Sequence, residues 1–228
     1  MNDMYFVKKN VDRIYDGNCT DFLDIRMQDL VRRKIKIDYN IFSPFEESEK
    51  VIYYTLKEPK VVLYEIKSKE KLRHQEIMGS IFSLNLDETL FGDIVIDNDR
   101  YFVYLFESIE NYFINNFTTV GKNKITLEKL DINYLKNYKR KYEEIEIIST
   151  SERIDTIVSR LTNINRKEIT DKIKNEEIIV NASPIKNNSY ILKKGDIFSI
   201  RRFGKYKYLG IIKTTKKDNL IVSIYKYI

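Results

Sequence analysis

Six consecutive residues, Tyr101-Phe102-Val103-Tyr104-Leu105-Phe106, are apolar or aromatic without interruption. In an extended strand successive side chains point to opposite faces. Tyr101, Val103 and Leu105 therefore line one face, and Phe102, Tyr104 and Phe106 the other. Two readings follow for the aromatic face. It packs against another layer of the protein, or it stands open, as in RRM domains, where aromatics at this place stack on bases.

The surrounding pattern sets the strand in a larger order. Lys60–Ile66 reads as a strand and Leu72–Leu84 as a helix. Asp93–Ile96 and Tyr101–Phe106 read as a hairpin around Asn98-Asp99, Glu107–Asn116 as a second helix and Lys124–Leu130 as a last strand. The sequence of elements is βαββαβ, that of ferredoxin-like and RRM-like sandwiches, with two helices on one sheet face. Upstream, residues 4–16 and 22–35 read as amphipathic helices, the second with cap chemistry in Asn18-Cys19-Thr20-Asp21. Val51–Thr55 reads as a strand closed by Glu58-Pro59. Residues 131–143 are polar and charged and read as a linker or connecting helix. A strand at Ile145–Ser149, helices at Arg153–Leu161 and Arg166–Asn175, and strands near Ile178–Val180, Asp196–Arg202, Tyr206–Lys213 and Leu220–Tyr225 complete the chain. The expected class is α+β in three parts: an N-terminal α/β segment (1–58), an RRM-like or ferredoxin-like domain with its connecting segment (59–143), and a C-terminal module (144–228).

Charge separates the last part from the rest. Residues 145–228 carry 17 Lys+Arg against 9 Asp+Glu, and residues 1–144 carry 23 against 25. A basic surface concentrated in one region favours a polyanion, because each neutralised phosphate releases condensed counterions. Arg166, Lys167, Thr170 and Lys174 fall in one sector of about 100° on their helix, beside the apolar stripe of Ile169 and Ile173. Arg201, Arg202, Lys205 and Lys207 form a second basic group around Gly204. Together with Arg153 and Asn181 these are the candidate RNA-binding residues.

Other chemistry finds little support. A single cysteine, Cys19, leaves no internal disulfide or cysteine-based zinc site. No apolar run reaches the roughly 18 residues of a membrane span, and a cytoplasmic protein without cofactor or metal is expected. No phosphate-binding glycine loop or nucleophile elbow is present. His74, the one histidine, shares a helix face with Ile77 and Ile81 and is expected to be half-buried, bracing the core.

Several blocks carry a resemblance. Arg153-Ile154-Asp155, Asn165-Arg166, Val180-Asn181 and Gly195-Asp196 look like the αL RNA-binding domain, first seen in a small-subunit ribosomal protein and recurring in tyrosyl-tRNA synthetases and pseudouridine synthases. That pattern has Gly where this chain has Glu176. Upstream, Thr20-Asp21-Phe22-Leu23-Asp24, His74-Gln75-Glu76-Ile77-Met78-Gly79-Ser80, Phe91-Gly92-Asp93-Ile94, Val120-Gly121-Lys122 and Arg201-Arg202-Phe203-Gly204-Lys205-Tyr206 resemble the bacterial YlmH family. Two basic residues of the family's middle domain are replaced here, by Gln75 and Glu88. The resemblance implies a non-enzymatic, monomeric RNA-binding protein of translation. Its implied partners are the rRNA of the large ribosomal subunit, peptidyl-tRNA and a tailing factor of ribosome-associated quality control, and no membrane. A second implied reading is a protein-interaction factor of cell division. A third is an RNA-modifying enzyme of pseudouridine synthase type, for which residues 1–143 lack a large catalytic domain.

Overall fold

A computed structural model describes residues 3–228, and the chain divides into two units, Met1–Lys139 and Arg140–Ile228. In the first unit the order is α1 (Asp3–Tyr15), α2 (Ile25–Arg32), β1 (Asn40–Phe42), β2 (Ile52–Tyr54), β3 (Val61–Ser68), α3 (His74–Phe82), β4 (Phe91–Asp97), β5 (Arg100–Phe106), α4 (Glu110–Asn116), β6 (Thr119–Val120) and β7 (Asn123–Leu130). The strands β4-β5-β3-β7-β6 form one antiparallel sheet in that spatial order. The β4–β5 hairpin turns on Asn98 and Asp99, with φ of 50° and 59°. Asn and Asp tolerate this left-handed pair, whose twist matches that of the flanking strands.

Both faces of this sheet are covered. On one, Val62, Tyr64, Ile66, Val103 and Leu105 pack beneath Ile77 and Ile81 of α3 and Phe113 of α4. On the other, Leu63, Val95, Phe102, Tyr104 and Phe106 pack beneath Phe22, Phe45, Ile52 and Leu135. Phe102 and Tyr104 are 1 % and 0 % exposed, so the aromatic face of β5 is core and not an open stacking platform. Residues 131–139 contain no helix and do not hang free, contrary to the expected linker. Leu135 is buried, and Ile132 and Tyr138 pack on the same cluster. The charged and amide residues between Ile132, Tyr134, Leu135 and Tyr138 concealed this, because the segment has no regular strand or helix period and its partners are distant in sequence.

The covering segment is fastened residue by residue. Thr20 Oγ1 accepts from the Tyr53 amide at 3.0 Å. The buried Asp21 carboxylate takes Lys9 at 2.7 Å and Arg13 at 2.6 Å, tying α1 to the segment. Phe22 lies on the sheet and donates its amide to Thr89. Leu23 enters the small core between α1, α2 and β2, and Asp24 caps α2 by accepting from the Met27 amide. The receiving surface is the Phe91–Ile94 irregularity of β4. There Asp93 accepts from the Ser48 hydroxyl and the Glu49 amide, each at 2.7 Å. Lys50 donates to the carbonyls of Glu88 and Phe91. Burial draws its ammonium below the ordinary lysine range, against the pull of Asp93. A Cβ at Gly92 would stand 2.9 Å from both the Phe22 ring and Tyr104 Cβ, so the glycine is what lets Phe22 reach the sheet.

Residues 131–138 are held by a second device. Arg100 grips the buried Glu65 carboxylate with two bonds of 2.8 Å, and its guanidinium lies over the rings of Phe102 at 5.1 Å and Tyr134 at 5.2 Å. The Arg100 bond holds the Glu65 carboxyl below the usual glutamate range, against the opposing effect of burial.

His74 departs from expectation. It is exposed at the first turn of α3, while Ile77 and Ile81 are buried. At the helix start the histidine overhangs the end of the core, although the wheel places it on the apolar face.

The second unit contains β8 (Tyr142–Ser149), α5 (Ile154–Thr162), α6 (Arg166–Lys174), β9 (Ile178–Val180), β10 (Ser183–Pro184), β11 (Ile197–Ile200), β12 (Gly204–Thr214) and β13 (Leu220–Tyr227). Its antiparallel sheet runs β10-β9-β11-β12-β13-β8. Ile154, Ile157 and Val158 of α5 and Ile169 and Ile173 of α6 pack on Phe198, Ile200, Tyr206, Tyr208, Val222 and Ile224. No helix among the described residues is long and apolar enough to cross a membrane.

Two outcomes test this fold. Gly92→Ala should cost about 1–3 kcal/mol, read as a lower urea midpoint at unchanged slope, because Phe22 must move. A wild-type midpoint would show that Phe22 does not press on β4. The Glu65–Arg100 pair should show in the acid limb of stability. A carboxyl whose pKa is lowered on folding stabilises above its unfolded value of about 4.3, and that contribution fades as pH falls through the lower native value. Arg100→Ala should therefore destabilise at pH 7 and lose part of that difference from wild type by pH 3. A difference independent of pH would remove the ionic part of the argument.

Candidate nucleic-acid interface

In the second unit, Arg153 is the N-cap of α5, and its guanidinium bonds the buried Asp155 carboxylate at 3.1 and 2.9 Å. Arg166 opens α6, whose cap is Asn165 accepting from the Glu168 amide. Its guanidinium donates to Thr156 Oγ1, next to Asp155. Burial pushes the Asp155 carboxyl up, but the bond from Arg153 and the nearby charges of Arg153 and Arg166 leave it below the ordinary aspartate range. The buried Asp155 carboxylate thus holds one guanidinium directly, with that of Arg166 on the neighbouring Thr156, and each retains N–H donors in a planar fork.

The other end of α6 brings in the second basic group. The helix closes on Glu176 at φ 57°, with the Glu177 amide donating to the Lys172 carbonyl. This left-handed closing residue is where glycine is usual, which accounts for the Gly of the αL pattern. Arg201 donates its amide to the Glu177 carbonyl, and Arg202 occupies the following turn at φ 72°. Lys172 pairs with the Glu177 carboxylate at 2.7 Å and lies 6.0 Å from the Phe203 ring centroid. The lysine bond, with Arg201 and Arg202 nearby, holds the Glu177 carboxyl below its usual range against burial. Arg153 and Arg166 thus lie at the N-terminal end of α6, and Arg201 and Arg202 beside the turn at its C-terminal end. Lys167 and Lys174 lie exposed between, the latter 3.9 Å from Asp171.

Other expected residues fall elsewhere. Lys205 and Lys207 alternate on β12 with Tyr206 and Tyr208, which pack under α5 and α6. They belong to the opposite sheet face, where Lys205 lies 5.1 Å from the Tyr227 ring. Thr170 is occupied within the fold, donating to the Arg166 carbonyl and accepting from Asn188, both at 3.0 Å. Asn181 sits at φ 48° and locks a turn: its amide donates to Asp196 at 2.9 Å, and its oxygen accepts from the Ile197 amide at 3.0 Å. Sequence reasoning passed over Lys172 and Phe203, which bring the C-terminal turn of α6 and the Arg201–Arg202 turn together. Their signal was the pair Glu176-Glu177, whose charge calls for a cation close by.

The arrangement is a set of exposed cations held on one helical module, and the comparisons with known proteins bear mainly on the first unit. Residues 56–134 match the family described as "Putative RNA-binding domain in YlmH". Over that stretch the family resemblance read from the sequence is borne out. Over 145 residues it is 28 % identical to the "Ribosome-associated protein quality control protein P2" of Bacillus subtilis (strain 168). That match spans 64 % of this chain and 56 % of the relative's length. A solved structure, "Cell division protein ylmH from Streptococcus pneumoniae", aligns at a TM-score of 0.47 and 21 % identity, covering 58 % of this chain and 93 % of that one.

If Asn181 serves the turn, Asn181→Ala should lower the melting temperature by the equivalent of about 1–3 kcal/mol. An unchanged melting temperature would show that the carboxamide is free for other work.

Proposed function

We propose that this protein is a non-enzymatic, cytoplasmic RNA-binding protein that associates with the large ribosomal subunit and tRNA in ribosome-associated quality control. The observation that carries the reading is the match of residues 56–134 to the YlmH RNA-binding domain, alongside a relative named for that process. The strip from Arg153 and Arg166 along α6 to Arg201 and Arg202 supports it independently of that match. Such a strip, of the αL type, follows a phosphate backbone with contacts that fix position more than base identity. Lys167 and Lys174 extend it. Lys205 and Lys207, on the other sheet face, serve as a separate contact. The protein acts as a monomer, and rRNA, peptidyl-tRNA and a tailing factor are its partners in this reading.

Sedimentation through a sucrose gradient tests it. The wild-type protein should travel with large subunits at low salt and leave them as salt rises, since the attraction is largely counterion release. An Arg166→Ala, Arg201→Ala double variant should shift towards the top of the gradient at a lower salt concentration, and Lys217→Ala, in a lysine-rich turn, should not. A well-folded double variant that sediments as wild type would remove the α6 strip as the binding surface. Absence of the wild type from all ribosomal fractions would favour the cell-division reading.

A further inference from the structure

RNA-binding domains built on a sheet of this order commonly use the open sheet face, and here that face is closed at its centre. Residues 56–134 are moreover acidic overall, with 10 Lys+Arg against 13 Asp+Glu. A domain with a covered face and a net negative charge must hold a polyanion at some local concentration of cations. The structure contains one.

The cover on the second face reaches Leu63 of β3, Phe102 of β5 and Leu130 of β7, all in the buried cluster or packed against it. Two residues beyond the Glu65–Glu128 pair the strands emerge from it, and Lys67 and Thr126 stand opposite one another and exposed. Ile125 points to the helix side, so Lys124 shares the face of Thr126. The β6–β7 turn, with Gly121 at φ 57°, adds Lys122, and the stretch after β3 adds Lys69. Lys67, Lys69, Lys122 and Lys124 line a groove of about 600 Å³ with a single carboxylate, Glu70, on its wall. Lys67 is paired with Glu128. Lys69, Lys122 and Lys124 are exposed and have no carboxylate within ion-pair distance among the described residues. Lys71 and Arg73, nearby in sequence, are paired with Asp99 at 2.8 Å and Glu76 at 2.8 Å. Six of the ten basic residues of this domain thus come from two short stretches, 67–73 and 122–124.

The geometry points to this groove as a second RNA contact, taking the phosphate backbone at the uncovered end of the sheet, independent of base sequence. The inference rests on the RNA-binding reading above and assigns part of that binding to the first unit. Ammonium groups on flexible stems suit it: each acts as a point charge on phosphate, without the geometric selectivity of a guanidinium fork. Ser68 and Thr126 lie in the same groove and can bond sugar or phosphate oxygens.

The test uses the full chain and purified bulk tRNA as probe, with affinity measured by fluorescence anisotropy across a salt series. Lys69→Ala, Lys122→Ala, Lys124→Ala in combination should weaken binding by about tenfold or more at low salt and reduce the salt slope by about two to three units. The matching triple substitution to Arg should restore the slope. A control triple, Lys57→Ala, Lys136→Ala, Lys139→Ala, removes equal charge from exposed positions of the same unit and should leave the slope nearly unchanged. Wild-type affinity and slope in the groove variant, with normal binding by the wild-type protein, overturn the groove and leave the RNA-binding reading standing. An equal loss in the control triple also overturns it, as does displacement of tRNA by polyglutamate of matched charge at the same concentration as by competitor RNA. Failure of the wild-type protein to bind tRNA at low salt would overturn the RNA-binding reading itself, and the groove with it.

Discussion

The seating of Phe22 in the space left by Gly92 is the contact on which the rest of the first unit depends. It places the Thr20–Asp24 segment against β4, and with it Phe45 and Ile52 over the aromatic face of β5. The energetic scale shows why this face does not double as a base-stacking platform. Fully burying a large apolar side chain is worth about 1.5–3 kcal/mol, so the seven or more engaged here together hold the cover by of order 10 kcal/mol or more. Stacking a base on an aromatic ring returns about 1–3 kcal/mol. Two or three bases cannot repay an uncovered core, so the centre of this face is closed to stacking.

Charge is organised by carboxylates, two of them buried and one half-buried. Asp155 anchors Arg153 and lies beside Arg166; Glu177 engages Lys172 and sits near Arg201 and Arg202; Asp21 collects Lys9 and Arg13. In the first two cases the acid stands behind the cations and fixes where they point, at some expense of net positive charge. In the third it closes the fold. A count of charges along the chain cannot separate these uses, since each consists of one acid with two or more bases close by.

Much of the fold was legible in the residues. The order of strands and helices from 60 to 130 followed from periodicity and from turn residues such as Asn98-Asp99, because those signals are local. The blocks Thr20–Asp24 and Phe91–Ile94, noticed as family resemblance, turn out to be the two sides of one clasp. Neither side has a distinctive pattern of its own, so their pairing was not readable. Residues 131–138 escaped for a related reason: Ile132, Tyr134, Leu135 and Tyr138 sit in or beside a run of turns with no strand or helix period, and their partners lie far away in sequence. His74 was misplaced because a helix wheel carries no information on where the core ends.

The α6 strip was largely legible, since Arg166, Lys167 and Lys174 share a helical face by spacing alone. Its extension to Arg201 and Arg202 was not, because it depends on the Glu177 carbonyl accepting the Arg201 amide across 24 residues of chain. By itself the sequence determined the element types, the alternation along β5 and β12, and the excess of positive charge near the C-terminus. These are properties of neighbouring residues and of sums. Only the tertiary structure decided which face of β5 is hidden, that Lys205 and Lys207 lie across the sheet from α6, and that Lys69, Lys122 and Lys124 share one groove. Those outcomes depend on which distant segment reaches a surface first and on whether its side chains fit there, as Phe22 fits over Gly92.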